Sequence, residues 1–596
     1  MSILYKEFIK KNSRKIISLF ILGVVFLVFV LMNPQWYFDG EDYVQLFRCY
    51  KVKSIKDFLD FFIHGSLDTY RSLIHPFEIW RQTFFSVYYR PLCLVLSFFE
   101  YSLFGLNAYM HFMFLIFFHS LNTSILCYFI IPFMGNFFAI LFSLFYAFHP
   151  SFCFIGKWDC QQHIFTTFFA ILAAIFLIKK IRNVHSKTVL PLASYLFFFL
   201  SLCVRETFIV FPLMAILIMN LYERSQYYKF QRIVSQLKIV TGFGLTILAY
   251  FFMRQISYPI VFSGVGLTNC SYLVPRNLFS INTIHVLYLY FLSCFHPLYS
   301  VRYIVDKHHF LWLYRFIKIF TLSIPIILFF TSTQKKLILI LAACTAVLFW
   351  PILICGYGGQ NDRTFYEASI PFILTFVALF KFTYLKKYNF AKYCGAFLLI
   401  SMIAYNLFFF SQQRHRALKH FQSTFYPIVE LKKSVGNTLQ DTPLFIFNLP
   451  FVMYHWMSLP QALELYGISK VAIDCYCDSR IRIYSSSASM KDNLLISAGE
   501  NSFRFITIDK EKLWFSYEKP FCNIVFDDQH NYDDFPYGRH NVYIYNEDNS
   551  IIVPFQSNKI YDISLVFKDK KYFHHDAKFL TWDYDENKFI ILNSTN

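Results

Sequence analysis

An acidic cluster follows the first hydrophobic stretch of the chain, with Asp39, Gly40, Glu41 and Asp42 in a row and Tyr43 after them. Carboxylates at the rim of a membrane can accept the proton of a hydroxyl group and so activate that hydroxyl against a lipid-borne donor. Gly40 would permit a sharp turn that brings the acidic residues over the membrane surface. The competing interpretation is a solvated loop that ends a helix. Residues elsewhere in the chain must decide between the two.

Composition places this cluster in a membrane protein. Of the 596 residues, 56% are hydrophobic and only 15% are charged, a combination that excludes the soluble globular classes. A membrane-spanning helix needs roughly 20 apolar residues. Stretches close to this length lie at 16–32, 107–131, 136–150, 162–178, 189–204, 207–222, 239–256, 310–330, 337–354, 366–383 and 393–411. We therefore predict a polytopic α-helical membrane protein with about 11 spans.

Basic residues predict the orientation of these helices. The first stretch follows a Lys- and Arg-rich start, lacks a small-residue cleavage site and runs into Asn33-Pro34, which indicates a retained signal anchor with a cytoplasmic N-terminus. Basic clusters within 179–187, 224–238, 335–336 and 381–392 then fall on the same side. The formal charge of +18 therefore indicates topology and contact with anionic lipids rather than nucleic-acid binding. We expect a multi-pass protein of a bacterial inner membrane.

One further apolar stretch, 281–298, leaves the topology open. If it lies in the membrane plane or re-enters, the C-terminal part of the chain is extracytoplasmic; if it spans, every later segment inverts. We favour the first arrangement because it puts the polar stretch 356–363 on the same side as the acidic cluster. Its cost is that Arg315 and Lys318 then lie inside or at the edge of a span, where charge is unfavourable unless it is paired.

The composition of the sequence changes after about residue 412. Mixed charges and short segments of alternating polar and apolar residues, typical of strands, replace the long apolar runs. We predict two domains: a multispanning domain over 1–412, with 33–106 as its first extracytoplasmic loop containing in-plane helices, and a soluble, strand-rich α+β domain over 413–596. Hairpin turns are predicted near 546–549 and 583–586, and a helix over 415–434. Cys477 and Cys522 could pair outside the cytoplasm, and a single Cys-x-Cys gives little reason to expect a metal.

Several polar motifs follow the acidic cluster in a fixed order. They are Arg90-Pro91-Leu92 leading through Leu103–Asn107 to His111 and His119–Asn122, then Phe148-His149-Pro150, then Arg205-Glu206 with Pro212, and last Asp362–Tyr366. In this order and spacing, residues 15–412 resemble the lipid-phosphate-sugar-dependent glycosyltransferases of the GT-C fold. The closest resemblance is to the protein O-mannosyltransferase-like branch, which includes the transmembrane-and-TPR proteins.

The resemblance implies an inverting transfer of a sugar from a polyprenyl-phosphate donor to an acceptor on the extracytoplasmic face. Such a donor carries its own leaving group, so the reaction requires neither a nucleotide nor a metal cofactor. It does require a base for the acceptor hydroxyl and positive charge for the departing phosphate. The resemblance assigns the base to Asp42 or Glu41 and the phosphate contacts to Arg205, Arg363 and Arg90. Asp39, His149 and Glu206 are possible supporting residues.

The chain also departs from the family pattern. The basic–acidic dipeptide expected before the fourth span is replaced by Gln161-Gln162-His163, the loop near Arg363 lacks its usual proline, and a strand-rich region stands in place of the TPR tail. These departures leave the acceptor open.

Structural readings compete with the functional ones. Arg205 could simply pair with Glu206 or extend to the membrane surface, and Arg90 could anchor a helix to lipid headgroups. His111 and His119 are expected to be buried and hydrogen-bonded, while Glu100 either marks a groove or faces water. For the whole chain, the alternatives are a transporter or lipid flippase, or an inactive scaffold of the same fold.

Overall fold

A computed structural model describes residues 2–33, 36–38, 40–64, 90–149, 152, 161–182, 189–222, 229–257, 328–354 and 366–382, parts of 400–415, a few residues within 429–433 and at 465, and strands between 444 and 592. The chain divides into two compact units. Residues 1–36 and 52–417 form the first, called here the helical unit, and residues 37–51 and 418–596 form the second unit. Unlike the predicted domains, this division groups 37–51 with the C-terminal residues.

The described part of the helical unit is built of α-helices. They are α1 (Ser2–Met32), α3 (Ile55–His64), α4 (Pro91–Phe104), α5 (Ala108–Ala147), α6 (Gln161–Arg182), α7 (Val189–Val204), α8 (Phe211–Tyr222), α9 (Lys229–Ser257), α10 (Lys335–Ile354) and α11 (Tyr366–Phe382), with a short 3₁₀ helix at Glu206–Val210 and α2 (Gly40–Lys51) in the second unit. Local signals explain several starts. Pro91 occupies the first turn of α4, and the Asn107 side chain accepts a hydrogen bond from the Met110 backbone at the start of α5.

A reciprocal cap begins α3. The Ser54 hydroxyl accepts a hydrogen bond from the Asp57 backbone N–H at 3.1 Å, and the Asp57 carboxylate accepts one from the Ser54 N–H at 2.8 Å. A third bond, from the Lys53 backbone N–H at 3.0 Å, is the main reason that the pKa of Asp57 is lowered.

Four of the described helices are long and apolar enough to cross a membrane: Asn12–Met32, Ala108–Ala147, Gln161–Ile181 and Gln236–Arg254. Large apolar side chains point outward from them, among them Leu19, Phe20 and Leu31 on α1 and Leu248 and Phe252 on α9. Such surfaces suit hydrocarbon rather than water. The helical unit is accordingly treated as part of a membrane protein.

Helix α5 folds back on itself. A straight helix of this length would separate His119 from Ala147 by about 42 Å, yet the His119 Nε2 atom lies 3.2 Å from the Ala147 carbonyl oxygen. The reversal occurs where Gly135 takes non-helical angles, with φ of 71°, just after Pro132. The one long helix is therefore a hairpin of two antiparallel segments, which agrees with the two predicted stretches 107–131 and 136–150.

Contacts between helix termini divide the helical unit into two ends. One, called here the polar end, contains the C-terminus of α1, where Phe29 stacks on Phe148 and contacts His119, and the start of α11, where the Tyr366 hydroxyl lies 2.8 Å from His119. The other, called here the basic end, contains the turn of the α5 hairpin, where Lys381 donates to the Phe133 carbonyl. The start of α10 lies there too, since the Thr333 N–H donates to the Phe382 carbonyl at 2.7 Å.

The second unit carries helix α2 and eleven described strands. They are β1 (Leu444–Phe447), β2 (Arg482–Ser485), β3 (Leu494–Ala498), β4 (Ser502–Thr507), β5 (Leu513–Ser516), β6 (Cys522–Phe526), β7 (Val542–Asn546), β8 (Asn549–Val553), β9 (Asp562–Phe567), β10 (Lys578–Asp583) and β11 (Lys588–Leu592).

These strands pair in four small sheets, ordered β1-β10-β11, β2-β5, β3-β4-β9-β6 and β7-β8. The pairing of β1 with β10 is parallel, and the other described pairings are antiparallel. Two of them close short turns. Asn546 pairs with Asn549 between β7 and β8, and Asp583 pairs with Lys588 between β10 and β11. Cys477 lies outside the described residues.

Candidate functional site

Two adjacent dipeptides organise the charged groups of the polar end. Gln162 and His163 lie in the first turn of α6, and Arg205 and Glu206 follow the last residue of α7. Each dipeptide contributes one residue to each of two groups of contacts. We call them the Glu206 cluster, with Arg90, Gln162, Glu206, Tyr250 and Arg254, and the Arg205 cluster, with His163, Arg205 and Glu367.

In the Glu206 cluster, a single carboxylate is surrounded by donors. Arg90 Nε donates to Glu206 Oε2 at 3.2 Å, and the Tyr250 hydroxyl donates to Oε1 at 3.0 Å. Arg254 forms a longer ion pair with Oε1 at 3.8 Å. Arg90 also donates to the side-chain oxygen of Gln162. Two guanidinium groups around one carboxylate leave a net positive charge in this cluster.

The Arg205 cluster joins three helix termini through side chains. His163 Nδ1 lies 3.0 Å from Glu367 Oε1, and Arg205 NH1 lies 3.7 Å from the same oxygen. The guanidinium of Arg205 also contacts the His163 ring. Glu367 is fully buried, in the first turn of α11, whereas 12% of the Arg205 side chain is exposed. The carboxylate is therefore shielded from bulk solvent, and the guanidinium beside it is partly exposed.

Backbone conformation explains why the neighbours Arg205 and Glu206 belong to different clusters. Arg205 has φ of −163° and ψ of 142°, which is extended chain, and successive side chains of an extended chain point in opposite directions. Among the described contacts, Arg205 meets His163 and Glu367, while Glu206 meets Arg90 and Arg254. The alternative in which Arg205 pairs with Glu206 is therefore wrong.

The two arginines differ in how many of their nitrogens the protein uses. Arg90 engages Glu206 with Nε and Gln162 with NH1. Arg205 uses only NH1 in its contacts with described residues. The other two nitrogens of Arg205 can therefore take a ligand, and a planar guanidinium matches the oxygens of a phosphate.

An aromatic group lies beside the Arg205 cluster. The Ala147 carbonyl can only accept, so His119 carries its proton on Nε2 and accepts at Nδ1 from the Tyr366 hydroxyl. Phe152 packs between the rings of Tyr366 at 4.7 Å and His149 at 5.6 Å. His149 is buried. As the sequence predicts, His119 is buried and hydrogen-bonded.

A second buried acid–histidine pair lies outside both clusters. His111 contacts Glu100 Oε2 through Nδ1 at 3.2 Å and the Gly105 carbonyl oxygen through Nε2 at 3.0 Å. Both side chains are buried. His111 thus agrees with the prediction, but the expectation that Glu100 marks a groove or faces water is wrong. Its partner His111 lies eleven residues away on α5, and the pair fastens α4 to α5.

The polar end brings together four of the predicted site residues: Arg90, Arg205, Glu206 and His149. Asp42 is buried on α2 of the second unit. The backbone of Glu41 belongs to the same helix. Asp39 and Arg363 lie outside the described residues. The roles assigned to these residues stay predictions.

Sequence reasoning missed three members of the clusters, Glu367, Tyr250 and Arg254. A weak signal was present for two of them, because Glu367 and Arg254 are charges next to apolar runs in a terminal turn of their helices. Gln162 and His163 were noticed only as a departure from the family pattern. Within the part of the chain that the structure describes, no group of three or more His, Cys, Asp or Glu side chains could hold a metal ion.

No protein-family model matches the chain, and neither the curated proteins nor the solved structures contain a significant match.

Proposed function

We propose that this chain is an integral-membrane glycosyltransferase of GT-C type, which moves a sugar from a polyprenyl-phosphate donor to an acceptor. The observation that carries the proposal is the convergence of Arg90, Arg205 and Arg254 at one end of the helical unit, where the described contacts pair them with the carboxylates of Glu206 and Glu367. Positive charge that is fixed in advance, beside a membrane, is what the departing phosphate of such a donor needs.

Arg205 is the best candidate for the phosphate contact. It is partly exposed, its NH1 is fixed by His163 and Glu367, and its remaining nitrogens are available. Arg90 is less suited than Arg205 to bind a phosphate, because its described hydrogen bonds are already made to the side chains of Glu206 and Gln162. A guanidinium that its neighbours already orient loses less entropy on binding an anion.

The position of the clusters favours an enzyme over a transporter or flippase. The described clusters occupy helix termini: the starts of α4, α6 and α11, the last turn of α9 and the residues that follow α7. Transport sites more often use charged or broken helices near the middle of the bilayer. Chemistry at a helix end has access both to a lipid headgroup and to an acceptor in water.

Helix directions support the eleven-span topology. Arg254 and Tyr250 bring the end of α9 to the polar end, and Thr333 brings the start of α10 to the basic end. An odd number of crossings between them fits the proposed topology, in which 310–330 spans and 281–298 does not. Lys179, Lys180, Lys335, Lys336 and Lys381 lie toward the basic end. We therefore assign the basic end to the cytoplasm and the polar end to the outside.

Arg414 supports the same assignment for the C-terminal region. Its Nε donates to the Asn33 side chain at 2.8 Å, and its guanidinium stacks 3.9 Å from the Trp36 ring. Residues near 414 therefore lie at the polar end. In the proposed topology, the strand-rich region after 418 is an extracytoplasmic domain. Asp42 and Glu41 remain the proposed base for the acceptor hydroxyl.

The test is sugar transfer by purified protein in proteoliposomes. Radiolabelled polyprenyl-phospho-mannose and polyprenyl-phospho-glucose would serve as donors, with the membrane fraction of cells lacking this chain as the acceptor pool. Wild type should transfer label, Asp42→Asn and Glu41→Gln should lose transfer, and Arg14→Gln at the basic end should retain it. Absence of transfer by wild type would refute the proposal, whereas unchanged transfer in both acidic variants would remove only the base assignment.

A further inference from the structure

We infer that Glu367 recognises the sugar of the donor by accepting a hydrogen bond from one of its hydroxyl groups. The inference rests on the proposed function, since it assigns a role within the Arg205 cluster. In this inference the Arg205 cluster is a sugar-phosphate site, in which Arg205 binds the phosphate and Glu367 binds a hydroxyl group of the sugar.

The starting point is a carboxylate oxygen without a partner. Glu367 Oε1 contacts His163 and Arg205, but Glu367 Oε2 is buried and has no hydrogen-bond partner in the described structure. An unpaired buried oxygen on a charged group is costly, and native proteins rarely retain one without a use for it. Among the described residues no group donates to this oxygen, so we assign the donor to a ligand, with an ordered water as the alternative.

Distance favours a ligand that carries both phosphate and hydroxyl groups. Glu367 Oε1 lies 3.7 Å from Arg205 NH1, so a molecule whose phosphate binds Arg205 brings its neighbouring groups close to this carboxylate. In a hexosyl phosphate, the hydroxyl next to the anomeric carbon is only a few bonds from the phosphate. A bare lipid phosphate lacks this hydroxyl.

Electrostatics separates this role from a purely positioning one. If Glu367 served only to orient Arg205, replacing it would weaken binding of every phosphate. Neutralising Glu367 also removes a negative charge beside Arg205, which should favour an anion. A hydroxyl acceptor at this position therefore predicts opposite effects on the two lipids.

The experiment compares two probes on the full-length protein in detergent, with occupancy measured by native mass spectrometry. The probes are bare polyprenyl phosphate and polyprenyl-phospho-hexose, tested with mannose and with glucose. Wild type should prefer one of the sugar-bearing lipids by about tenfold, as expected for a hydrogen bond to a charged group. Glu367→Gln should reduce this preference several-fold, because a neutral acceptor bonds more weakly. Its binding of the bare phosphate should stay equal or become tighter.

Two further variants make the result decisive. Glu100→Gln is the matched control, a buried carboxylate that pairs with histidine outside the clusters, and it should keep the wild-type preference. Glu367→Asp keeps the negative charge, but its shorter side chain moves the oxygen away from the sugar hydroxyl. This variant should therefore lose the preference for the sugar-bearing lipid, even if Glu367→Gln folds poorly.

The remaining outcomes separate the two proposals. An unchanged preference in Glu367→Gln would mean that an ordered water satisfies the oxygen, and equal loss for both lipids would mean that Glu367 only positions Arg205. Either result overturns the inference and leaves the proposed function standing. Failure of wild type to bind either lipid would overturn both.

Discussion

The two ends of the helical unit are built from different interactions. At the polar end, side chains far apart in sequence meet directly, as in the Arg90–Glu206 ion pair and the His163–Glu367 hydrogen bond. At the basic end, two described hydrogen bonds between elements are made to backbone groups: Lys381 donates to the Phe133 carbonyl, and the Thr333 N–H donates to the Phe382 carbonyl.

This difference indicates which end of the helical unit depends on particular residue types. A backbone carbonyl can accept a hydrogen bond from many different side chains. The basic end therefore constrains the length and charge of a side chain more than its exact type. An ion pair between buried side chains requires both partners, because either one alone leaves an uncompensated charge. Function should therefore be sensitive to substitutions at the polar end, and the basic end should affect folding alone.

Breaking the Glu100–His111 pair should cause the largest loss of stability without a loss of activity, because the pair lies outside both clusters. Glu100→Ala removes the carboxylate partner of a buried imidazole and leaves a cavity, which together cost about 3–5 kcal/mol. We expect a clearly lower midpoint of thermal denaturation in detergent, with sugar transfer per folded molecule close to wild type. Near-normal stability would show that this pair does not fasten α4 to α5.

Removing the guanidinium of Arg205 should affect activity instead. Arg205→Gln should lower sugar transfer by about 10²–10³-fold, the range expected when a fixed group that stabilises developing charge is lost. Arg14→Gln, an exposed arginine near the other end of α1, is the control. Transfer that falls less than tenfold in Arg205→Gln would move the phosphate contact elsewhere.

The basic end is tested at the turn of the α5 hairpin. Gly135 has φ of 71°, and no atom lies within 4 Å of the position where a Cβ would be, so Gly135→Ala adds backbone strain alone. The expected cost is about 1–3 kcal/mol, measured as a lower denaturation midpoint with transfer per folded molecule unchanged. Gly23→Ala, in equally open space within α1, should be neutral. Reduced turnover in Gly135→Ala would break the division between the two ends.

The smallest effect is expected at an exposed charge. Because the Lys53 and Ser54 bonds lower the pKa of Asp57 from its usual 3.8, its stabilisation of α3 is present above that value and is lost as the pH falls through the lowered pKa. Hydrogen exchange at the start of α3 should therefore speed up in acid in wild type, but not in Asp57→Asn. An identical acid response in both proteins would exclude Asp57 as its cause.

The sequence predicted the described helices better than their contacts. Apolar length alone located α1, α6, α7 and α9, and the gap between 131 and 136 marked the turn that Pro132 and Gly135 make. Each of these features depends on neighbouring residues, so local hydropathy and turn chemistry suffice to find them.

The clusters depend on pairings that no local pattern encodes. Arg90 and Arg205 were predicted, but their partners lie 116 residues away at Glu206 and 42 residues away at His163. Glu367, which is 204 residues from His163, was not predicted at all. Adjacent charges at 205 and 206 suggested a pair, and only the extended backbone at Arg205 shows that they point apart.

The reversal of α5 also bears on the bilayer around the protein. Its second segment, between Gly135 and Ala147, has about twelve residues and rises only ~18 Å, against a hydrocarbon core of about 30 Å. Lipids beside it must compress, or the polar end lies below the level of their headgroups. In the proposed reaction, membrane thickness would therefore set how far a lipid phosphate must descend to reach Arg205.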